Sequence, residues 1–171
     1  ICFHIFQSVH AMTKVVIVGG GHAGANTAFA LRKDGFDGDI NILCDESHLP
    51  YHRPPLSKDF LKQKIEEDKL SFKTAEFYND QNISLNLNTR VQSIDLESNK
   101  VFSDDGSFDF DYLVFATGAA PRLLPMENAD AKNLFYLRQI SDVVSMQKVI
   151  AAGKKIVLIG GGYIGLEVAS A

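Results

Sequence analysis

The residues able to do chemistry fall in three short stretches. Gly19-x-Gly21-x-x-Gly24 follows the apolar run Lys14 to Val18, and the same spacing returns at Gly160-x-Gly162-x-x-Gly165 after a second apolar run. Glycines so spaced between a strand and a helix point to dinucleotide binding. The first permits a tight turn, the second lets the backbone approach a pyrophosphate, and the third lets helix and strand pack closely. The helix N-terminus then offers N–H groups and a favourable dipole to the phosphates. Asp45 and Glu46 stand about two dozen residues beyond the first loop, where a carboxylate can accept hydrogen bonds from ribose hydroxyls. The alternative is a pair of solvated loop acids. The third stretch is PYHRPPLSK, Pro50 to Lys58. Its three prolines suit neither a helix interior nor a central strand. They stiffen the backbone that carries Arg53 and Lys58, cations whose commonest state is solvated surface charge. His52 reads as a loop histidine.

The surrounding pattern supplies the elements that must position these residues. Lys14 to Val18 is a β-branched run of the kind buried in a parallel sheet. A helical stretch comes next, ended by Gly35, and Asp39 to Leu43 reads as a second strand, completing a βαβ unit. A short helix is expected to begin at Leu56, with charged helix and surface loop over residues 65–81. From Ile83 come short alternating strands (ISLNL, RVQSIDLE, KVFSD) with a hairpin turn over Asp104 to Ser107. They predict a β-meander inserted between Ile83 and Phe110. Tyr112 to Gly118 returns to a buried strand ending in a tight turn. The spacing of Ile140, Val143, Val144, Gln147 and Ile150 predicts a helix over 139–152, and the run KIVLI predicts a strand before the second glycine loop. The fold class expected is therefore α/β, a Rossmann-like three-layer domain with an inserted meander. A truncated second dinucleotide-binding unit is expected after it.

The chain has 171 residues, 46% hydrophobic and 22% charged, an ordinary globular balance with length enough for a core. A net charge of −4 argues against a nucleic-acid partner. Cys2 and Cys44 are far apart, which excludes a disulfide scaffold, a cysteine-rich zinc site and a local dithiol. The histidines have no ligand-like spacing with acids or cysteines, so no metal is expected. Residues 1–11, before Met12, are apolar but short and lack Lys and Arg, unlike a signal peptide or a membrane span. Residues 1–12 read as extraneous or flexible.

Four motifs then occur in a telling order: LPYHRPPLSKDFL, YLVFATGAAPR, LFYLRQISD and IGGGYIGLEVAS. With them the chain resembles the FAD-dependent pyridine nucleotide-disulfide oxidoreductases, in the ferredoxin-reductase-like branch. That branch holds putidaredoxin and rubredoxin reductases, the reductase components of dioxygenases, and apoptosis-inducing factor. The resemblance runs from Lys14 to Ala171. It implies FAD in the first dinucleotide unit and NADH or NADPH in the second. FAD contacts would fall at Gly19, Gly20, Gly21 and Gly24 for the pyrophosphate, at Asp45 or Glu46 for the ribose, and at Arg53, Lys58, Thr117, Gly118 and Arg138. Val91 would offer its backbone to the adenine, although its side chain reads as strand core; Arg138 reads equally as a surface charge. Gly160, Gly162, Gly165 and Glu167 would serve the nicotinamide nucleotide. The implied divisions are an FAD-binding portion over 13–120, a linker over 121–138 and the start of an NAD(P)H-binding domain over 139–171.

The implied activity is electron transfer from NAD(P)H through FAD to a ferredoxin- or rubredoxin-type iron–sulfur protein, serving an oxygenase in the cytoplasm. Lys58 is expected near the flavin, paired with Glu167 in a buried ion pair that keeps the lysine charged despite desolvation. Disulfide reductases of the wider family carry a cysteine pair in the region here occupied by RPPLSKDFL, so a dithiol relay is not expected. The alternatives are an apoptosis-inducing-factor-like flavoprotein with a sensing or interaction role, and a non-enzymatic fragment. The family's closing FAD segment and C-terminal domain have no counterpart in these residues. The piece alone is therefore expected to retain FAD weakly or not at all and to be inactive.

Overall fold

The computed structural model describes residues 12–125, 127, 133–150 and 154–171; the expectation for residues 1–11 and part of that for the linker lie outside them. The chain resolves into two compact units, residues 12–49 with Thr74–Thr117, and Pro50–Lys73 with Gly118–Ala171. This grouping cuts across the chain-order division: the whole of Pro50–Lys73, proline loop included, packs with residues 118–171.

The first unit is built on a parallel sheet. Strands β1 (Lys14–Val18), β2 (Asp39–Leu43), β3 (Ile83–Asn86) and β7 (Tyr112–Phe115) lie in the order β3-β2-β1-β7. Helix α1 (His22–Lys33) joins β1 to β2, and α2 (Ala75–Asp80) precedes β3. Successive strand residues face opposite sides, and both sides of β1 are covered. Val15 and Ile17, with Ile40 and Ile42, pack against Ala28 of α1 and Tyr78 of α2. Val16 and Val18, with Leu43, pack against Val101 and Phe110. That double burial is why β1 has no polar alternation.

The other layer is an antiparallel meander of β4 (Val91–Asp95), β5 (Lys100–Ser103) and β6 (Gly106–Asp109). Its makeup differs from expectation. Ile83–Asn86 is not a meander strand but pairs in parallel with β2, because Ile83 belongs to the core on the α1 side of the sheet. The third meander strand is instead β6. Its turn is tighter than Asp104 to Ser107: Ser103 and Gly106 already pair, leaving two residues at the bend. Among the described residues strand β7 pairs with β1 alone. It is therefore an edge rather than a buried strand, with Tyr112 and Phe115 largely exposed.

An arginine ties the helices to the sheet's far end. Arg32, in the last turn of α1, donates through Nη1 to Phe36 O at 2.6 Å, through Nε to Gln81 O at 2.8 Å and through Nη2 to Asn82 O at 2.7 Å. The guanidinium fork thus holds the exits of α1 and α2, where helix carbonyls lack intrahelical donors.

The second unit has its own core. Tyr51, Leu56, Phe60, Leu61 and Leu70 pack with Ile140, Val143 and Met146 of α3 (Ile140–Gln147). Proline starts the turn two residues earlier than expected, as a 3₁₀ turn over Pro54–Ser57, since its fixed φ suits a helical first position. Gln147 Nε2 donates to Phe60 O at 2.6 Å. Helix α3 stops at Gln147 rather than reaching residue 152, and Val149 and Ile150 are exposed. The predicted strand at KIVLI does not form: residues 154–161 have no ladder partner among the described residues, and Val157 is 84% exposed. The final element is α4 (Tyr163–Ser170).

Replacing Arg32 by Met removes three charge-assisted hydrogen bonds at a partly solvated site. The expected loss is about 1–2 kcal/mol, read as a lower urea midpoint with an unchanged slope. An unaltered midpoint would show that the clamp contributes nothing.

Candidate functional site

In the first unit the candidate residues converge on the carboxyl end of β1. The backbone turns at Gly19, with φ +111°, and Gly19 N–H donates to Leu43 O at 2.8 Å while Ala116 N–H donates to Val18 O at 2.8 Å. The loop is thereby pinned between the ends of β2 and β7, the point where strand order reverses and ligands of open parallel sheets bind. A Cβ on Gly24 would lie 1.9 Å from Gly19 O, whereas one on Gly21 would meet nothing within 4 Å. The third glycine therefore serves packing, and the middle one leaves the loop open. Gly21 caps α1 without a side-chain bond, and the first turn carries no acid. An uncapped, acid-free N-terminus behind an open glycine fits the phosphates of a dinucleotide.

Asp45, Glu46 and Val91 are brought to the same edge. Thr89 N–H donates to Cys44 O at 2.7 Å and Asn88 N–H to Glu46 O at 3.1 Å, which fastens the exit of β2 to the entry of β4. Val91 stands at a register shift in β4 and packs with the core below it. Asp45 faces Arg90, with Nη1–Oδ2 at 3.5 Å, and both side chains are mostly exposed. Arg90 is a residue that sequence reasoning missed; its only signal is its place directly before Val91. Thr117 is exposed at the end of this unit. Cys44 is buried, and desolvation, with Asp45 and Glu46 nearby, pushes its thiol up to about 12. It is an inert core residue.

In the second unit the proline loop gathers the rest. Arg53 Nη1 donates to Tyr51 Oη at 3.0 Å and to Arg138 O at 2.8 Å, and its guanidinium lies over the Tyr51 ring. Asp142 in turn accepts from the N–H groups of Arg138 and Gln139, each at 2.8 Å, at the start of α3. A Cβ on Gly118 would lie 3.3 Å from Arg138 Nη2. Arg53, Gly118 and Arg138 thus lie in one cluster, with Arg53 bonded to the Arg138 carbonyl and the Arg138 guanidinium beside Gly118.

Lys58 and Glu167 form an ion pair, Nζ–Oε1 2.9 Å, with the side chains 49% and 33% exposed. The expected burial is absent. The pair lines the wall of an open cleft of about 340 Å³, with Lys62, Tyr163, Leu166 and Ser170, so water rather than desolvation surrounds the ammonium. Hydrogen bonds from Ser57 and then Lys58 hold the Glu167 carboxyl below its ordinary value. Ser57, also missed, is nearly fully buried; its signal was its place inside PPLSK. Behind α4, Gly160 has φ +108° and a Cβ on Gly165 would lie 2.7 Å from Gly160 O. Gly162 caps α4 in extended conformation as Gly21 caps α1. Among the described residues no group of acids, histidines and cysteines could hold a metal, and no helix is long and apolar enough to cross a membrane.

A parallel sheet whose central strand ends in this glycine turn, with a second turn of matching backbone angle, defines a dinucleotide-binding class of fold. The family model described as pyridine nucleotide-disulphide oxidoreductase matches residues 13–171, and the chain belongs to that family. More particularly, it is 44% identical over 161 residues to the p-cumate 2,3-dioxygenase system ferredoxin–NAD(+) reductase component of Pseudomonas putida, covering 94% of this chain and 40% of that one. It is 43% identical to a rubredoxin–NAD(+) reductase of Pseudomonas putida, covering 92% and 41%. Among solved structures it matches the covalent putidaredoxin reductase–putidaredoxin complex with a TM-score of 0.88 at 42% identity, covering 92% of this chain and 39% of that one. The chain spans about two fifths of the length of these relatives.

The glycine packing and the Glu167 carboxyl can each be probed by substitution. Gly24→Ala places a methyl on a backbone oxygen and should cost about 1–3 kcal/mol; Gly165→Ala, with more room, should lower the thermal midpoint less. Equal shifts would contradict the packing difference. For Glu167, a folded value below the ordinary one means stabilisation present above the ordinary glutamate range and lost as pH falls through the folded value. Melting curves of wild type and Glu167→Gln should therefore differ near neutrality and merge at acid pH.

Proposed function

We propose that the parent protein is a flavin-dependent reductase that takes electrons from NADH or NADPH and passes them to a ferredoxin- or rubredoxin-type iron–sulfur protein. The observation that carries the reading is the proline loop: it supplies Arg53 and Lys58 to two ordered clusters and contains no cysteine. The loop carries no dithiol, and Cys44 is buried with its thiol pushed up to about 12, which supports a route without a sulfur relay in this part of the protein. Electrons must leave by another route, and relatives at 43–44% identity are named for ferredoxin and rubredoxin. Service to an oxygenase system rests on the first of these likenesses, named for a dioxygenase system, and a cytoplasmic location is part of the same proposal.

The work would be divided among the residues. Gly19, Gly20, Gly21 and Gly24 with the N-terminus of α1 would hold the FAD pyrophosphate, and Asp45 or Glu46 the ribose. Val91 would meet the adenine through its backbone, and Thr117, Gly118, Arg53 and Arg138 would line the remainder. Bound FAD supplies the conversion of a two-electron hydride donor into single-electron output. Gly160, Gly162 and Gly165 would receive the nicotinamide nucleotide. Lys58 would place a positive charge where negative charge develops on reduction, and Glu167 would hold that lysine in place between turnovers. Residues 13–120 and 139–171 would then be the FAD- and NAD(P)H-binding portions, joined by 121–138.

Lys58→Met in the whole protein should slow flavin reduction by NAD(P)H, on the order of tenfold or more, in stopped-flow absorbance. An unchanged rate would remove Lys58 from the reaction. Ferredoxin-dependent reduction of cytochrome c should accompany turnover; its absence with both ferredoxin and rubredoxin would overturn the choice of acceptor.

A further inference from the structure

One carboxylate joins the proline loop to α4, and its two partners are unlike. Glu167 Oε2 accepts a hydrogen bond from Ser57 Oγ at 2.5 Å, and Oε1 faces Lys58 Nζ at 2.9 Å. Ser57 is 4% exposed and sits on the 3₁₀ turn that Pro54 and Pro55 begin. A single side-chain torsion sets its hydroxyl. Lys58 is half exposed, stands where the backbone leaves the turn, and has a long second contact, 3.4 Å to Pro54 O. A short side chain on a buried stiff turn specifies position, whereas an ammonium on a flexible stem supplies charge. Neighbouring residues of a turn rarely reach the same group; the break in the helical path at Lys58 allows it here.

We propose that Ser57 is the positioning residue of this site: its hydroxyl anchors Glu167, so that Lys58 can exchange the carboxylate for an anionic group entering the cleft while Glu167 stays in place. The role is separable from the lysine's charge, because each partner takes a different oxygen. The other charged or titratable side chains lining the cleft are Lys62 and Tyr163. The inference rests on the proposed reductase reading only for which anionic group arrives.

The test is NMR on the chain with ¹³C-carboxyl glutamate and ¹⁵N-lysine, with Glu167 assigned through Glu167→Gln. Ser57→Ala should move the Glu167 titration upward by about half a unit or more, and Lys58→Met should move it less. Ser57→Cys, nearly isosteric and a weaker donor, should give an intermediate shift and covers the case in which alanine unsettles the turn. Inorganic phosphate added at constant ionic strength should shift the Lys58 signal in wild type and leave Glu167 unmoved; in Ser57→Ala both should move. The proposal is overturned if Ser57→Ala leaves the titration unchanged, if Lys58→Met shifts it more, or if phosphate moves Glu167 equally with and without the hydroxyl. Normal flavin reduction by Lys58→Met would instead remove Lys58 from the reduction step and leave these titrations standing.

Discussion

The near-contact between Gly24 and Gly19 is the constraint on which the first unit depends. With a Cβ on Gly24 only 1.9 Å from Gly19 O, α1 can lie this close to β1 only if that Cβ is missing. The close approach sets Ala28 on Val15 and Ile17, which buries one face of the sheet and leaves the opposite face for the meander. It also aims the uncapped start of α1 along the end of β1. Helix packing and the aim of the helix N-terminus are therefore one requirement, met by one hydrogen atom in place of a methyl.

The second unit solves a different problem, how to hold cations still. Its proline loop carries no regular strand and only a single turn, yet Arg53 is fixed on three sides by Tyr51 and the Arg138 carbonyl. Aromatic stacking and a bidentate-capable guanidinium suit that role, as a lysine would not. Lys58 is treated in the opposite way, tethered at its tip and solvated along its length. The contrast separates a cation locked against aromatic and backbone partners from one whose ammonium can change partners.

Much of this was legible in the residues. The βαβ unit, the glycine turns and the α3 core face came from apolar periodicity and spacing, which report burial directly. The pairing of Lys58 with Glu167 came from likeness, since nothing in local sequence links a loop to a helix so far along the chain. What misled was partnership. Ile83–Asn86 alternates like a meander strand, but which sheet a strand joins depends on the neighbour that covers Ile83. Lys155–Ile159 has every mark of a buried strand but finds no ladder partner among the described residues, and a strand is a property of a ladder. Ser57 and Arg90 were overlooked because small or charged residues flanking a motif give no periodic signal; only their distances to Glu167 and Asp45 reveal them.

The two glycine turns also act as a control on each other. At Gly19 the surrounding chain is crowded, with Ala116 O 2.2 Å from where a Cβ would lie; at Gly160 that space is open. The backbone angles are nevertheless almost the same, +111° and +108°. The bend angle is thus reached with and without crowding neighbours, and the sheet's hydrogen bonds then hold it at Gly19. In folding terms it is an element of very low contact order, available as soon as those residues have been synthesised. The parallel pairing of β1 with β7, across nearly a hundred residues of intervening chain, has to wait. The glycine turn is a local shape that the slower sheet then fixes in place.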